Sequence, residues 1–333
     1  MDPVSTSPTT PVAFLKGHGT ENDFVIVPDP DNAIDLPPHV VAALCDRRAG
    51  IGGDGLLHVV RSAAHSEARA MAGEAEWFMD YRNADGSVAE MCGNGVRVFA
   101  RYLQRAGHVT AGDLPVATRG GVKWAHLPKS AASAASATSG TIPASTDDSA
   151  DSAAEAEDGG ITVRMGRAVL PADAVTVAVG GREWPARNVN MGNPHAVAFV
   201  EELAHAGDLF SEPPVSPASV YPDGVNVEFV VDRGPRHVAM RVHERGSGET
   251  RSCGTGACAV AVAAARRDGT DPAVTGAPVT YTVDLPGGRL VITEHPDGEI
   301  EMTGPAVIVA EGHIDPAWLE TAFATRPEAR SNG

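Results

Sequence analysis

Two short stretches, Cys92-Gly93-Asn94-Gly95 and Cys253-Gly254-Thr255-Gly256, decide how this chain is read. Each is a Cys-Gly-X-Gly turn, and each stands at the head of a helical pattern. After Gly95, apolar residues recur at Val96, Phe99, Ala100 and Leu103, with Arg97, Arg101 and Gln104 expected on the opposite, polar side and a stop near Gly107. After Gly256, the run Ala257 to Ala265 is apolar on every face and ends at Arg266-Arg267-Asp268-Gly269. A short helix with no polar face belongs at the centre of a core. Two like turns opening two helices of like length predict an internal duplication, two domains that each present a cysteine at a helix N-terminus. Chance repetition of a four-residue glycine motif is the competing explanation.

Working outward, 333 residues suffice for two domains with separate cores. The 36 glycines and 25 prolines call for many turns and a strand-rich architecture. Runs such as Val225-Asn226-Val227-Glu228-Phe229, Val238-Ala239-Met240-Arg241-Val242 and Leu290-Val291-Ile292-Thr293 alternate with the period of strands. Residues 130–159 stand apart: nearly all Ala, Ser, Thr, Gly, Asp and Glu, with six acidic residues and no basic one. That composition buries too little apolar surface to offset the entropy of ordering, so a disordered acidic insertion or linker is expected. The domain reading is therefore an N-terminal half over 12–126 with Cys92, a linker over 127–160, a C-terminal half over 161–316 with Cys253, and a tail over 317–333 that could return to the first half.

A net charge of −17 repels a phosphate backbone, so no nucleic-acid partner is expected. No run of eighteen apolar residues suggests a membrane span, and the first residues lack the basic and apolar regions of a secretory signal. Four cysteines in a chain of this length point to reduced thiols and a cytoplasmic setting rather than a disulfide scaffold. Cys45 and Cys258 read as small buried apolar residues. The spacing of the cysteines matches no zinc site, so no metal is expected.

A cysteine at a helix start meets unpaired backbone N–H groups and the positive end of the helix dipole, both of which favour thiolate. The remaining N–H groups form a site for a carboxylate. A single such turn serves equally as a nucleophile, a redox thiol or a tight bend. Two of them, face to face, could hold one α-carboxylate with a sulfur on either side of the α-carbon. One sulfur would then remove the α-proton while the other protonates the opposite face, and no cofactor is needed.

The surrounding motifs extend this reading. His18-Gly19-Thr20-Glu21-Asn22-Asp23-Phe24, Gly50-Ile51-Gly52-Gly53-Asp54-Gly55, Asn83-Ala84-Asp85-Gly86-Ser87, Met91-Cys92-Gly93-Asn94-Gly95, Met191-Gly192-Asn193-Pro194-His195, Gly224-Val225-Asn226 and Glu244-Arg245-Gly246-Ser247-Gly248-Glu249-Thr250 resemble the diaminopimelate epimerase family, in family order. The resemblance implies an α/β fold of two pseudo-symmetric domains, each a strand-rich roll or barrel wrapped around a central helix. It implies interconversion of L,L- and meso-diaminopimelate for lysine and peptidoglycan synthesis, without pyridoxal phosphate, in a cytoplasmic homodimer. By the same resemblance Cys253 deprotonates the L,L substrate and Cys92 protonates the other face, with His195 and Glu244 assisting. Asn22, Asn83, Asn193, Asn226 and Arg245 match substrate-binding positions, and Gly93, Asn94, Gly254 and Thr255 match the carboxylate-holding turns. Arg245 can pair bidentately with a distal carboxylate, and Glu244 could hold the α-ammonium. Glu21 stands where many members have glycine, and Gly55 where some have a substrate-contacting glutamine. The alternatives are a two-cysteine proline or hydroxyproline racemase and a non-catalytic thiol redox switch.

Overall fold

The computed structural model describes residues 11–129 and 160–324. The acidic segment 130–159 therefore lies outside the described residues. The chain divides into two compact units, one of residues 1–127 with 306–333 and one of residues 128–305.

The first unit opens with β1 (Val12–Gly19), β2 (Asn22–Pro28), helix α1 (Pro38–Cys45), β3 (Gly55–Arg61) and β4 (Trp77–Asn83). Helix α2 (Gly93–Arg105) follows, then β5 (Gly112–Thr118) and β6 (Gly121–Leu127). Neighbouring strands pair in chain order: β1–β2 antiparallel, β2–β3 parallel, β3–β4 antiparallel, β4–β5 parallel and β5–β6 antiparallel.

The second unit contains β7 (Ile161–Arg167), β8 (Val175–Val179), β9 (Arg182–Asn190), β10 (Pro194–Phe199), the two-residue β11 (Val215–Ser216), β12 (Asn226–Gly234), β13 (His237–Glu244) and the short β14 (Gly248–Thr250). Helix α3 (Gly254–Arg267) and the one-turn α4 (Pro272–Thr275) precede β15 (Val279–Leu285), β16 (Gly288–Glu294) and β17 (Glu299–Gly304). Here β9–β10 is antiparallel, β10–β12 parallel, β12–β13 antiparallel, β13–β15 parallel and β15–β16 antiparallel. The order of directions repeats that of the first unit. In both, the cysteine-led helix follows the fourth strand of the series and precedes the fifth. The duplication suggested by eight residues is thus carried by the whole strand topology.

Both central helices end alike. The residue after Gly107 bonds back from the His108 N–H to Leu103 O at 2.9 Å, and after Gly269 the Thr270 N–H reaches Ala265 O at 2.8 Å. Gly107 and Gly269 take φ of 76° and 71°, the left-handed conformation that closes a helix and favours glycine. Helix α2 packs against β1 and β6, and α3 against β15, β16, β10 and β9. Every residue of α3 from Gly256 to Ala265 is buried, as its all-round apolar pattern predicts. Its small side chains let strands approach on all sides.

Two expectations are corrected. Arg97 does not share the polar side of α2 with Arg101 and Gln104; it is 0% exposed. Its guanidinium donates to Asn94 Oδ1 at 2.7 Å and Thr20 Oγ1 at 3.4 Å, so its hydrogen-bonding capacity is used inside the unit. The boundary read at 316 also moves. Residues Val307–Ile314 form β18, which pairs antiparallel with β1 and belongs to the first unit, and α5 (Pro316–Ala324) follows it there. Leu319 and Ile314 join the core around α1, where Val40, Val41, Leu44 and Cys45 are buried.

Candidate active site

Each cysteine is the N-cap of its central helix. Cys92 Sγ accepts from the Gly95 N–H at 3.5 Å, and Cys253 Sγ from the Gly256 N–H at 3.4 Å. The sulfur thus takes the place of the side-chain oxygen that ordinarily satisfies a first-turn donor. A glycine, Gly93 or Gly254, takes the first helical position of each turn.

In the first unit, the β1–β2 turn brings Asn22 to the cysteine. Asn22 Oδ1 accepts from the Cys92 thiol at 3.5 Å and from Asn94 Nδ2 at 3.3 Å. Asn22 Nδ2 donates to Asp54 Oδ2 at 2.9 Å, and Asp54 is fixed by Arg47, which also forks onto Asp23 at 2.7 and 2.9 Å. Thr20 and Glu21 take φ of 50° and 60° in a two-residue hairpin turn, a left-handed pair that glycine would adopt with less strain. Glu21 leaves Asn22 seated on Cys92. Gly55 has a structural cause: a Cβ there would stand 2.6 Å from Arg82 O, so glutamine has no room in this backbone. Asn83, at the end of β4, donates to Ser87 Oγ at 3.0 Å, and the next N–H, of Ala84, reaches Asp54 O at 3.1 Å. This places the Asn83 turn beside the loop that holds Asn22.

The second unit gathers its residues into one hydrogen-bonded chain. Asn193 Nδ2 donates to Thr255 Oγ1 at 3.4 Å, and Thr255 Oγ1 lies 3.6 Å from Cys253 Sγ. His195 is bonded through Nε2 to Asn193 Oδ1 at 3.0 Å and through Nδ1 to Glu228 Oε1 at 2.6 Å. Asn226 donates to Pro194 O at 3.0 Å and accepts from the Arg245 N–H at 3.0 Å, locking the ends of β10 and β13 together. The side chain of Arg245 lies over Gly224, where a Cβ would meet its Cδ at 3.1 Å. Its guanidinium is exposed, bonded to Asp223 O at 3.2 Å, and has no carboxylate partner among the described residues. Glu244 accepts from the Thr250 hydroxyl and is hydrogen-bonded to the Cys253 thiol.

Helix geometry alone favours thiolate at both turns, but Cys253 departs from that expectation. Burial, then the nearby Glu244 and Glu228 carboxylates, push its thiol well above the ordinary range, outweighing the Thr255 and Gly256 hydrogen bonds. Burial also raises the Glu244 carboxyl. The local pattern of Cys-Gly-Thr-Gly contains no hint of two carboxylates arriving from β12 and β13. Cys45 and Cys258 are buried at 3% and 0% exposure, and burial pushes Cys45 up to about 12, consistent with inert packing residues.

Three residues of this arrangement were not singled out from sequence: Thr20, Arg97 and Glu228. For Glu228 a signal was present. In the alternating run from Val225 to Phe229 it shares a face with Asn226, so it had to point to the side of the sheet that carries the site. For Arg97 the helical periodicity pointed the wrong way.

A family model described as diaminopimelate epimerase matches residues 14–137 and 187–309. The diaminopimelate epimerase of Streptomyces coelicolor is 74% identical over 316 residues, covering 95% of this chain and 100% of the relative. That of Thermobifida fusca is 45% identical over 305 residues, covering 90% and 97%. Among solved structures, a PhzF-family phenazine biosynthesis protein from Bacillus anthracis matches with a TM-score of 0.63 at 14% identity, over 92% of this chain and 99% of its own. A hydroxyproline epimerase from Agrobacterium vitis, with bound trans-4-hydroxy-L-proline, matches with a TM-score of 0.59 at 15% identity, over 96% and 100%. These structural likenesses are ones of fold.

Proposed function

The chain belongs to the diaminopimelate epimerase family, and from that premise we propose that it inverts the α-carbon of L,L-diaminopimelate by two-cysteine acid–base chemistry. The observation that carries the mechanism is the paired N-capping cysteines, each heading the central helix of its own unit. Two-base inversion requires one sulfur to take the α-proton and the other to deliver a proton to the opposite face. In the L,L direction Cys253 is the base and Cys92 the acid. Burial and the neighbouring Glu244 and Glu228 carboxylates oppose the Cys253 thiolate, and in this reading Glu244 takes the thiol proton before the α-proton is removed. The thiolate then removes the α-proton. Negative charge spreading onto the α-carboxylate is met by the N–H groups of Gly93, Asn94, Gly254 and Thr255 at the two helix starts, the effect of an oxyanion hole.

This reading assigns Asn22, Asn83, Asn193 and Asn226 to binding the zwitterionic ends of the substrate, with His195 assisting through Asn193. Arg245 supplies a guanidinium free of any carboxylate among the described residues, fitted to the distal carboxylate of diaminopimelate. This favours diaminopimelate over proline or hydroxyproline, which lack that group. The reaction uses no pyridoxal phosphate and no metal, and the working form is a cytoplasmic homodimer serving lysine and peptidoglycan synthesis. The test is α-proton exchange in deuterated water with L,L-diaminopimelate, followed by mass spectrometry and chiral separation of the isomers. Absence of exchange, or exchange that survives alkylation of both Cys92 and Cys253, would overturn the proposal.

A further inference from the structure

His195 and Glu228 form a fully buried pair, each side chain 0% exposed and 2.6 Å apart. They come from neighbouring parallel strands, β10 and β12, in a register that sets His195 opposite Asn226 and Val197 opposite Glu228. The alternate residues Ala196, Ala198, Val227 and Phe229 enter the apolar cluster on the other face of the sheet, so His195 and Glu228 share the face packed against α3. A Cβ on Gly256 would lie 2.8 Å from Glu228 Oε1 and 3.2 Å from Cys253 Sγ, which puts the carboxylate against the first turn of α3, beside the cysteine. Its second oxygen, Oε2, is buried without a hydrogen-bond partner among the described residues. Leaving a buried carboxylate oxygen without a protein partner is costly. An apolar residue, in phase with Val230 on the same strand, would avoid that cost.

We infer that Glu228 is a positioning residue of the epimerase reaction, holding the His195 ring by Nδ1 so that Nε2 fixes Asn193, and Asn193 in turn fixes Thr255 at the Cys253 turn. The links measure 2.6 Å from Glu228 to His195, 3.0 Å from His195 to Asn193, and 3.4 Å from Asn193 to Thr255. The inference rests on the proposed epimerase reading, in which His195, Asn193 and Thr255 serve the substrate. Glu228 also acts through space. Cys253 is faced by Glu244 from β13 and Glu228 from β12, with His195 on β10 beyond them, and Tyr221 faces Glu228.

The test is Glu228→Gln, which keeps the shape and an acceptor for the ring but removes the charge. Turnover should fall about ten- to a hundred-fold with KM changed less than roughly three-fold, as for histidines oriented by a carboxylate at metal sites. The pH midpoint for iodoacetamide modification of Cys253, followed by peptide mapping, should move to lower pH, because one of the two carboxylates that oppose its thiolate is gone. A Glu228→Gln/His195→Asn double variant should be no slower than His195→Asn alone. Unchanged turnover, an unmoved midpoint, or additive losses in the double variant would each overturn the inference. Nitrogen-15 shifts of the wild-type imidazole supply a check that needs no variant: an Nδ1 without its proton would also overturn it. If wild type fails to exchange the α-proton of diaminopimelate, the epimerase proposal falls instead, while the Cys253 midpoint still reports on Glu228.

Discussion

The same substitution at the two equivalent turns should have opposite consequences. Gly95 and Gly256 occupy the third helical position of α2 and α3, and replacing either by alanine removes the conformational freedom of glycine in the unfolded chain, a gain of about 0.5–1 kcal/mol. At Gly95 the added Cβ meets Leu57 Cδ2 at 3.4 Å and Cys92 Cβ at 3.5 Å, ordinary contact distances, so that gain is kept. At Gly256 it falls 2.8 Å from Glu228 Oε1 and 3.2 Å from Cys253 Sγ. Neither can retreat easily, since Glu228 is tied to His195 in a 0% exposed pocket and the sulfur caps the helix. Overpacking of this kind costs about 1–3 kcal/mol. Gly95→Ala should thus stabilise its unit by up to about 1 kcal/mol, and Gly256→Ala should range from near neutral to roughly 2.5 kcal/mol destabilised. For domains of this size that difference corresponds to several degrees in melting temperature, at about 2–4 °C per kcal/mol. Calorimetry on both variants, with the pH dependence of Cys253 alkylation, makes the comparison. Equal melting temperatures and an unaltered Cys253 would show that the crowding at Gly256 is illusory and that Glu228 does not press on this turn.

Cys92→Ala and Cys253→Ala should each reduce epimerisation by at least about a hundred-fold, the lower range for positioned acid–base catalysis, and either variant retaining more than a tenth of wild-type turnover in a chiral assay would contradict two-base inversion. Arg245→Lys should lower kcat/KM for L,L-diaminopimelate by roughly ten- to a hundred-fold through loss of a bidentate charge-assisted contact, and an unchanged preference over lysine would mean that Arg245 does not read the distal carboxylate. Arg97→Met should destabilise the first unit by about 1–3 kcal/mol, since Asn94 and Thr20 lose a buried donor, and a melting temperature equal to wild type would refute the role assigned to the guanidinium. In the same unit, buried His58 lies 3.0 Å from Asp29 and 3.4 Å from Asp80; burial opposes its charge, but the two carboxylates prevail and raise its pKa, while Asp29 and Asp80, despite burial, are held low by His58 and their other donors. The histidine contribution is complete below its unfolded pKa and is lost as pH rises through the higher folded value, and the carboxylate contributions are complete above their unfolded pKa and are lost as pH falls through the depressed folded values, so stability should be greatest between about pH 4 and 6.5. Melting curves that rise from pH 6 to 8, or a His58→Gln variant with the same decline above pH 6.5 as wild type, would count against this network.

What the sequence determined by itself was local or periodic. A cysteine, two glycines and a helix-forming run are contiguous, so the N-capping sulfurs, the starts of α2 and α3 and their glycine-closed ends follow from neighbours along the chain. The strand pattern at 225–229 likewise encodes which side chains share a face, and the family motifs carried Asn22, Asn193, His195 and Asn226 to their places beside the two turns. Three features needed the tertiary structure, each because it depends on residues far apart in the chain meeting at one point. Arg97 is buried because the β1–β2 turn brings Thr20 against α2, which helical periodicity cannot register. The chain returns to its first unit at β18 because β1 has an edge that residues 307–314 complete. The Cys253 thiol is pushed up because folding buries it and then sets Glu244 and Glu228, from two separate strands, beside a sulfur whose own helix favours thiolate.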